Sequence, residues 1–140
     1  MDFAASQRLR GAKVLVVEDD EDSRELMCEL LRLAGAQVEG AQSTRDALEL
    51  FAAFAPDVLV SDIGLPIEDG YALVRKLRAL EEARGSGPTP AIALTGYTPS
   101  EQSQAGFQAH LIKPVEPDKL IDVILQQLRR EKTFKADEKK

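Results

Sequence analysis

Residues 58–66 read Val58-Leu59-Val60-Ser61-Asp62-Ile63-Gly64-Leu65-Pro66, an apolar run of strand length that ends in a single aspartate. A loop with glycine and proline follows at once, so the run predicts a buried strand with Asp62 at its carboxyl end. In open α/β sheets, ligands bind outside the carboxyl ends of the strands. Asp62 is therefore the first candidate functional residue.

The rest of the chain alternates between strand-like and helix-like segments. Strands are predicted over residues 13–17, 36–41, 58–61, 91–94 and 109–112. Helices are predicted to begin at Asp20 or Asp22, at Ser43, after Gly70, at Pro99 and at Pro117. Strands that alternate with helices predict a parallel sheet covered on both faces. No internal repeat or second domain is visible.

The composition is typical of one globular domain. The chain has 140 residues, 44% of them hydrophobic and 30% charged, and its net charge is −6. An acidic balance argues against direct nucleic-acid binding, and no apolar run predicts a membrane span or a secretory signal. Cys28 is the only cysteine, so we expect a packed thiol in a cytoplasmic protein rather than a disulfide.

Polar side chains follow four of the predicted strands. They are Glu18 and Asp19 after the first strand, Asp62 after the third, Thr95 after the fourth and Lys113 after the fifth. In a doubly wound sheet these ends meet in one crevice. Three acids gathered there repel one another unless a cation lies among them, and Mg²⁺ or Mn²⁺ suits such oxygen ligands. The Lys113 ammonium would face an anion bound at the same place.

Four short motifs at these strand ends resemble those of the receiver domain of bacterial two-component response regulators. They are Val16-Val17-Glu18-Asp19-Asp20, Ser61-Asp62-Ile63-Gly64-Leu65-Pro66, Ala93-Leu94-Thr95-Gly96 and Lys113-Pro114. The resemblance covers about residues 13–129. It implies a flavodoxin-like, doubly wound α/β fold with five parallel strands in the order 2-1-3-4-5 and five helices. It also implies an N-terminal extension over residues 1–12, a receiver domain over 13–130 and a polar C-terminal tail over 131–140.

The resemblance implies a role for each residue of the site. Asp62 would be the phosphoacceptor, which takes a phosphoryl group from a phosphohistidine. Thr95 would donate its hydroxyl to the acyl phosphate, and Lys113 would pair with another phosphate oxygen. The ligands of the metal would be Glu18, Asp19, Asp62 and the main-chain carbonyl of Gly64.

Three further positions are implied to tune the site. His110 occupies a position that is usually aromatic in receivers and rotates inward on phosphorylation; the alternative is a static side chain at the rim of the sheet. Tyr97 is implied to influence dephosphorylation and donor access, and Gly96 leaves room for the donor. The peptide between Lys113 and Pro114 is implied to be cis.

One interval departs from the pattern of the family. Lys113 follows Thr95 by 18 residues, about one helical turn fewer than receivers usually have. We therefore expect a shortened fourth helix within residues 99–105. The departure puts in doubt signalling through the face that this helix forms with the fifth strand and the last helix.

The leading hypothesis is a phosphoaccepting signalling domain that is not an enzyme beyond its own phosphotransfer and slow dephosphorylation. It would be a stand-alone regulator or part of a hybrid kinase, without an effector. Its partner would be a sensor histidine kinase or a histidine phosphotransfer protein, and the wide apolar arc of the last helix could form a homodimer.

Two other functions compete with this hypothesis. A Mg²⁺-dependent phosphatase would need a second acid to protonate the leaving group, commonly two residues after the nucleophile, where this chain has Gly64. A binding module without the chemistry is the third candidate. The intact set of acids, threonine and lysine argues against it.

Overall fold

The computed structural model describes residues 7–96 and 106–138, with side chains as far as Arg129. Five strands form one sheet: β1 (Lys13–Val17), β2 (Gln37–Ala41), β3 (Val58–Asp62), β4 (Ala91–Thr95) and β5 (Ala109–Ile112). The strands lie in the order β2-β1-β3-β4-β5, and every neighbouring pair is parallel. The predicted fold class and strand order are confirmed.

Helices cover both faces of this sheet. The described residues contain α1 (Glu21–Leu33), α2 (Thr44–Phe54), α3 (Gly70–Arg84) and α4 (Pro117–Glu138). The predicted short helix within residues 99–105 lies outside the described residues. The last helix begins at Pro117 as predicted, and it continues through residues 131–138 of the predicted polar tail.

Polar side chains cap the first turns of three helices. Asp20 accepts a hydrogen bond from Ser23 N at 2.9 Å, and Ser43 accepts one from Asp46 N at 3.1 Å. The side chain of Asp69 does the same for α3. Such caps satisfy main-chain N–H groups that have no partner within the helix. Local sequence therefore sets where these three helices begin.

Alternate residues of the strands face two separate apolar layers. Val14 and Val16 of β1 pack in one layer, while Leu15 and Val17 pack in the other. The first layer lies against α1 and α4, and the second lies against α2 and α3. Because both faces are covered, the strands are apolar on both sides, as is typical of parallel sheets.

Cys28 lies in the layer under α1, where it is 4% exposed. Burial raises the pKa of its thiol. A buried thiol with a raised pKa carries little thiolate at neutral pH, and the thiolate is the reactive form. The predicted packing role is confirmed.

Residues 7–12, within the predicted N-terminal extension, are attached to this core. Leu9 is 1% exposed, and its N–H donates to Ala34 O at 2.7 Å. The main chain of Ala12 accepts from Gln37 N at 2.8 Å. The segment therefore closes the amino end of the sheet between α1 and β2.

The apolar arc of α4 is largely used within the domain. Leu120, Ile121 and Ile124 are buried, and Val123, Leu125 and Leu128 are partly buried against the same layer. Over residues 117–129 no leucine, isoleucine or valine is exposed. A homodimer through this helix stays a prediction, with little apolar surface to support it. No helix among the described residues combines the length and apolarity needed to span a bilayer.

Candidate functional site

The parallel register brings the carboxyl ends of the central strands to one level. Val17 pairs with Ser61, Asp62 pairs with Leu94, and Thr95 pairs with Ile112. The side chains predicted for the site follow or end these strands at that edge. Strand pairing, rather than proximity in sequence, assembles the site.

Three carboxylates form an acidic cluster at this edge. Glu18, Asp19 and Asp62 each offer an oxygen, and these oxygens lie within 4.8 Å of one another. Glu18 is 5% exposed and Asp62 is 8% exposed, whereas Asp19 is open to solvent. Buried Glu18 Oε2 has no hydrogen-bond partner among the described residues. An all-oxygen donor set of this kind fits a hard divalent cation such as Mg²⁺.

Lys113 reaches into the cluster from the end of β5. Its Nζ lies 3.1 Å from Asp62 Oδ2 and 3.6 Å from Glu18 Oε2. Its main-chain N–H donates to Thr95 O at 2.7 Å, so strand pairing continues up to this residue. The Lys113–Pro114 peptide is cis, as the resemblance implied.

Glu18, Asp62 and Lys113 shift one another's pKa values. Burial, together with the hydrogen bond and negative charge of Asp62, raises the pKa of Glu18 from 4.5 to about 7. Burial also acts on Asp62, but hydrogen bonds from Glu18, Gly64 and Lys113 outweigh it and lower the pKa of Asp62. The pKa of Lys113 is raised because the carboxylate of Asp62 outweighs the burial of the ammonium. The lowered pKa therefore favours the ionised form of the Asp62 carboxylate at neutral pH.

The loop after β3 holds the Asp62 carboxylate in place. Gly64 N donates to Asp62 Oδ1 at 3.1 Å. Further along, Gly70 begins α3, and a Cβ there would lie 2.6 Å from Asp62 O and 2.9 Å from Ile63 Cα. Glycine is required at position 70 because the helix start packs directly on the main chain of the strand end.

Thr95 and Gly96 follow the strand next to Asp62. Thr95 is 1% exposed and directly follows Leu94, the residue that pairs with Asp62. A Cβ at Gly96 would meet no atom within 4 Å, so this position opens onto free space. Tyr97 lies outside the described residues, and its tuning role stays a prediction.

His110 is half-buried on β5, in contact with an aromatic pair. Its ring centroid lies 5.6 Å from that of Phe107, and Phe107 lies 5.9 Å from Tyr71 of α3. Both contacts are edge-to-face, the arrangement that aromatic rings prefer. The rings connect β5 with α3, and the switch role of His110 stays a prediction.

The sequence motifs did not reveal Arg24. Its guanidinium donates to Glu18 O at 3.0 Å from the second turn of α1, and so holds the main chain beside the acidic cluster. The spacing of six residues after Glu18 carries no recognisable signal by itself.

An apolar groove of about 520 Å³ lies beside the cluster, and the motifs did not reveal it either. Leu26 and Leu30 of α1 form one side, and Val115 with the start of α4 forms the other. Glu18 and Lys113 line the same groove, so it is continuous with the site. Leu26 is 59% exposed, which leaves an apolar side chain beside a charged pocket.

A family model for the response regulator receiver domain matches residues 14–125. The chain belongs to the response regulator receiver domain family. Such domains are signalling phosphoacceptors of two-component systems and bind Mg²⁺ through an acidic pocket. In this receiver the corresponding acids are Glu18, Asp19 and Asp62.

Relatives of this receiver differ widely in length. A 14.6 kDa protein from the sodA1 3′ region of Leptolyngbya boryana is 40% identical over 124 residues, covering 86% of this chain and 92% of its own. Hybrid signal transduction histidine kinase D of Dictyostelium discoideum is 33% identical over 134 residues, which are 89% of this chain and 9% of the kinase. The receiver thus spans a small part of the kinase it resembles.

Solved structures agree with the fold. The chemotaxis protein CheY4 of Vibrio cholerae superposes with a TM-score of 0.75 at 31% identity, covering 83% of this receiver and 98% of CheY4. A receiver domain from Clostridium thermocellum gives a TM-score of 0.76 at 25% identity and covers 88% of this chain and 98% of its own.

Proposed function

We propose that this receiver accepts a phosphoryl group on Asp62 from the phosphohistidine of a sensor histidine kinase or a histidine phosphotransfer protein. The observation that carries the proposal is the position of Lys113 Nζ, 3.1 Å from Asp62 Oδ2 within a cluster of three carboxylates. An ammonium next to the acceptor carboxylate can neutralise an incoming phosphoryl group.

The transfer forms one bond and breaks another. A carboxylate oxygen of Asp62 attacks phosphorus, the P–N bond of the phosphohistidine breaks, and its electron pair returns to the imidazole nitrogen. The product is a mixed anhydride. Lys113 holds charge on the phosphoryl oxygens, and the Thr95 hydroxyl donates to one of them.

Glu18, Asp19, Asp62 and the main-chain carbonyl of Gly64 would hold the divalent cation. When bound, the cation neutralises the acids and the phosphoryl oxygens. The three carboxylate oxygens within 4.8 Å of one another support this assignment. Arg24 supports it indirectly, because its bond to Glu18 O keeps that residue oriented toward the cluster.

The groove beside α1 favours a protein as the donor. Its apolar lining continues from Leu26 to Lys113 and Glu18, so a partner that covers Leu26 also reaches the acceptor. We propose that the domain of the kinase or phosphotransfer protein that bears the histidine packs on this groove. A phosphatase is less well supported, since Gly64 offers no acid for a leaving group.

Labelling with a small phosphodonor tests the assignment of Asp62. Incubation with Mg²⁺ and acetyl phosphate is expected to add one phosphoryl group, measured by intact-protein mass spectrometry, and Asp62→Asn is expected to remain unlabelled. Asp57→Asn is the matched control, because Asp57 lies just before the same strand and bonds to Lys13 N instead. Labelling of Asp62→Asn at the wild-type rate, or turnover of a phosphomonoester by the wild type, would contradict the proposal.

A further inference from the structure

A hydrogen-bonded network lies at the amino end of the sheet, away from the acidic cluster. Arg78 of α3 donates to Gly106 O at 2.7 Å and to Gln108 Oε1 at 3.1 Å. The same guanidinium donates to Glu81 Oε1 and to Thr89 O, each at 2.8 Å. The network therefore joins α3 to the segments that lead into β4 and β5.

Gln108 completes the network by pairing with β4 through both its main chain and its side chain. Gln108 N donates to Ala91 O at 2.9 Å, and Gln108 Oε1 accepts from Ala91 N at 2.7 Å. The side-chain oxygen thus takes the place of a main-chain acceptor. The pairing of β5 with β4 begins one residue before the first residue of the strand.

Glu81 anchors the network within the protein. It is 4% exposed, and its Oε2 accepts from Thr89 N at 2.6 Å while its Oε1 pairs with Arg78. Because both carboxylate oxygens are bonded, the buried charge is compensated. Glu81 therefore fixes the guanidinium of Arg78, which also donates to Gln108.

The register of β5, the strand that follows Gln108, is weakly specified by its own residues. β5 has four residues, lies at the edge of the sheet, and has Leu111 as its only fully buried residue. A strand with so few buried positions specifies its register weakly. A slip of one residue would move Lys113 by about 3.3 Å and turn its side chain to the other face of the sheet.

We propose that Gln108, held by Arg78, is a positioning residue that sets the register of β5 and thereby places Lys113 beside Asp62. The proposal rests on the function proposed above for Lys113. The network pairs the residue before β5 with the first residue of β4. Lys113 follows the last residue of β5 at the opposite end of the strand, where its N–H donates to Thr95 O at 2.7 Å. The register set at one end of β5 therefore decides where Lys113 lies at the other end.

A double-mutant cycle with Lys113 tests whether Gln108 acts through that residue. Gln108→Ala is expected to slow labelling of Asp62 by acetyl phosphate about tenfold, and to have less than about a twofold effect when Lys113→Ala is already present. An equal slowing in both backgrounds would overturn the proposal, because it would show an effect on the site that does not pass through Lys113.

Conservative replacement and a control separate positioning from general stability. Gln108→Glu keeps an oxygen for Ala91 N and Arg78, so it is expected to label within about twofold of the wild type. Gln37→Ala changes an exposed glutamine on β2, the other edge strand, and is expected to have no effect. Failure of Gln108→Glu to restore the rate would count against the proposal.

Hydrogen exchange gives a readout that does not depend on phosphorylation. In Gln108→Ala the amide of Lys113 is expected to exchange faster, while amides of β1 and β3 keep their protection. If the wild type is not labelled at Asp62, the proposed function fails, but hydrogen exchange still tests whether Gln108 sets the register of β5. Unchanged protection at Lys113 would overturn the positioning role.

Discussion

At the scale of single residues, Glu18 is the group whose protonation the fold changes most clearly. Asp19, Asp62 and Lys113 face it, and burial together with Asp62 raises its pKa from 4.5 to about 7. A carboxyl group with a raised pKa binds its proton more tightly in the folded state than in the unfolded state. The ionised form that a metal requires is therefore the form that destabilises the metal-free protein.

This shift predicts a pH dependence of stability in the absence of divalent cations. Between pH 4.5 and about 7 the folded state binds more protons at Glu18, so this residue lowers the free energy of unfolding as the pH rises, by about 3 kcal/mol. Urea denaturation across this range, compared between the wild type and Glu18→Gln, measures the difference. The lowered pKa of Asp62 affects stability in a lower pH range. Its contribution to the free energy of unfolding is lost only as the pH falls below 3.8.

The Glu18→Gln variant is the control for every other group that titrates in the same range. The wild type is expected to lose stability relative to this variant as the pH rises, and added Mg²⁺ is expected to offset the loss by binding the folded state. Parallel stability curves for the two proteins without Mg²⁺ would contradict the pKa assignment.

At the scale of secondary-structure elements, the start of α3 and the end of β3 are in direct contact. A Cβ at Gly70 would lie 2.6 Å from Asp62 O, whereas a Cβ at Gly87 would meet nothing within 4 Å. The contact joins the strand that carries Asp62 to the helix that follows it. The site therefore depends on the packing of two elements as well as on its own side chains.

Substitution of Gly70 by alanine is expected to move the end of β3. Gly70→Ala should lower the free energy of unfolding by about 2 kcal/mol through steric overlap and slow the labelling of Asp62. Gly87→Ala should change stability by less than about 0.5 kcal/mol. Urea denaturation and acetyl phosphate labelling measure the two effects, and equal stability of the two variants would contradict the steric reading.

The exposed face of α1 gives a second prediction at this scale. Leu26 lines the groove beside the site and is 59% exposed, while Leu33 on the same helix is 63% exposed and does not line it. Leu26→Ala is expected to slow transfer from a phosphorylated histidine phosphotransfer protein about tenfold, with acetyl phosphate labelling unchanged. Leu33→Ala is the matched control. Equal transfer rates for the two variants would exclude the groove as the donor surface.

At the scale of the whole molecule, residues 7–12 belong to the same packed body as the sheet. Leu9 is 1% exposed within the layer under α1, and Arg8 forms an ion pair with Asp122 of α4. The segment thus connects the start of the chain with α1, β2 and the last helix. The predicted division at residue 12 stays a prediction about domains, but these contacts cross it.

Truncation of Leu9 tests whether the segment contributes to global stability. Leu9→Ala is expected to lower the free energy of unfolding by about 3 kcal/mol, the usual cost of a cavity in a core. Leu33→Ala, at an exposed position, is expected to cost less than about 1 kcal/mol. Urea denaturation of both variants measures the difference, and an equal loss would show that residues 7–12 lie outside the cooperative unit.

Much of the fold follows from local signals in the sequence. Short runs rich in apolar residues predicted four of the strands, and β2 was predicted from a weaker pattern in which Val38 is the only large apolar residue. The caps at Asp20 or Asp22 and at Ser43 predicted where two helices begin. Strand ends in a parallel sheet share one edge, so Glu18, Asp62 and Lys113 could be grouped before any distance was known. These inferences succeed because periodicity, capping and strand direction are properties of short segments.

Only the tertiary structure decided the features that depend on residues far apart in the chain. The bond from Arg24 to Glu18 O, the network from Glu81 through Arg78 to Gln108, and the burial of Leu9 have no signature in any short segment. Each depends on how separate elements pack, and packing sets the distances, the burial and hence the pKa of Glu18. The sequence alone therefore determined the fold class and which kinds of side chain form the site. Tertiary packing decided the pKa of Glu18, the hydrogen bond from Arg24 that holds its main chain, and the register of β5, which Lys113 follows.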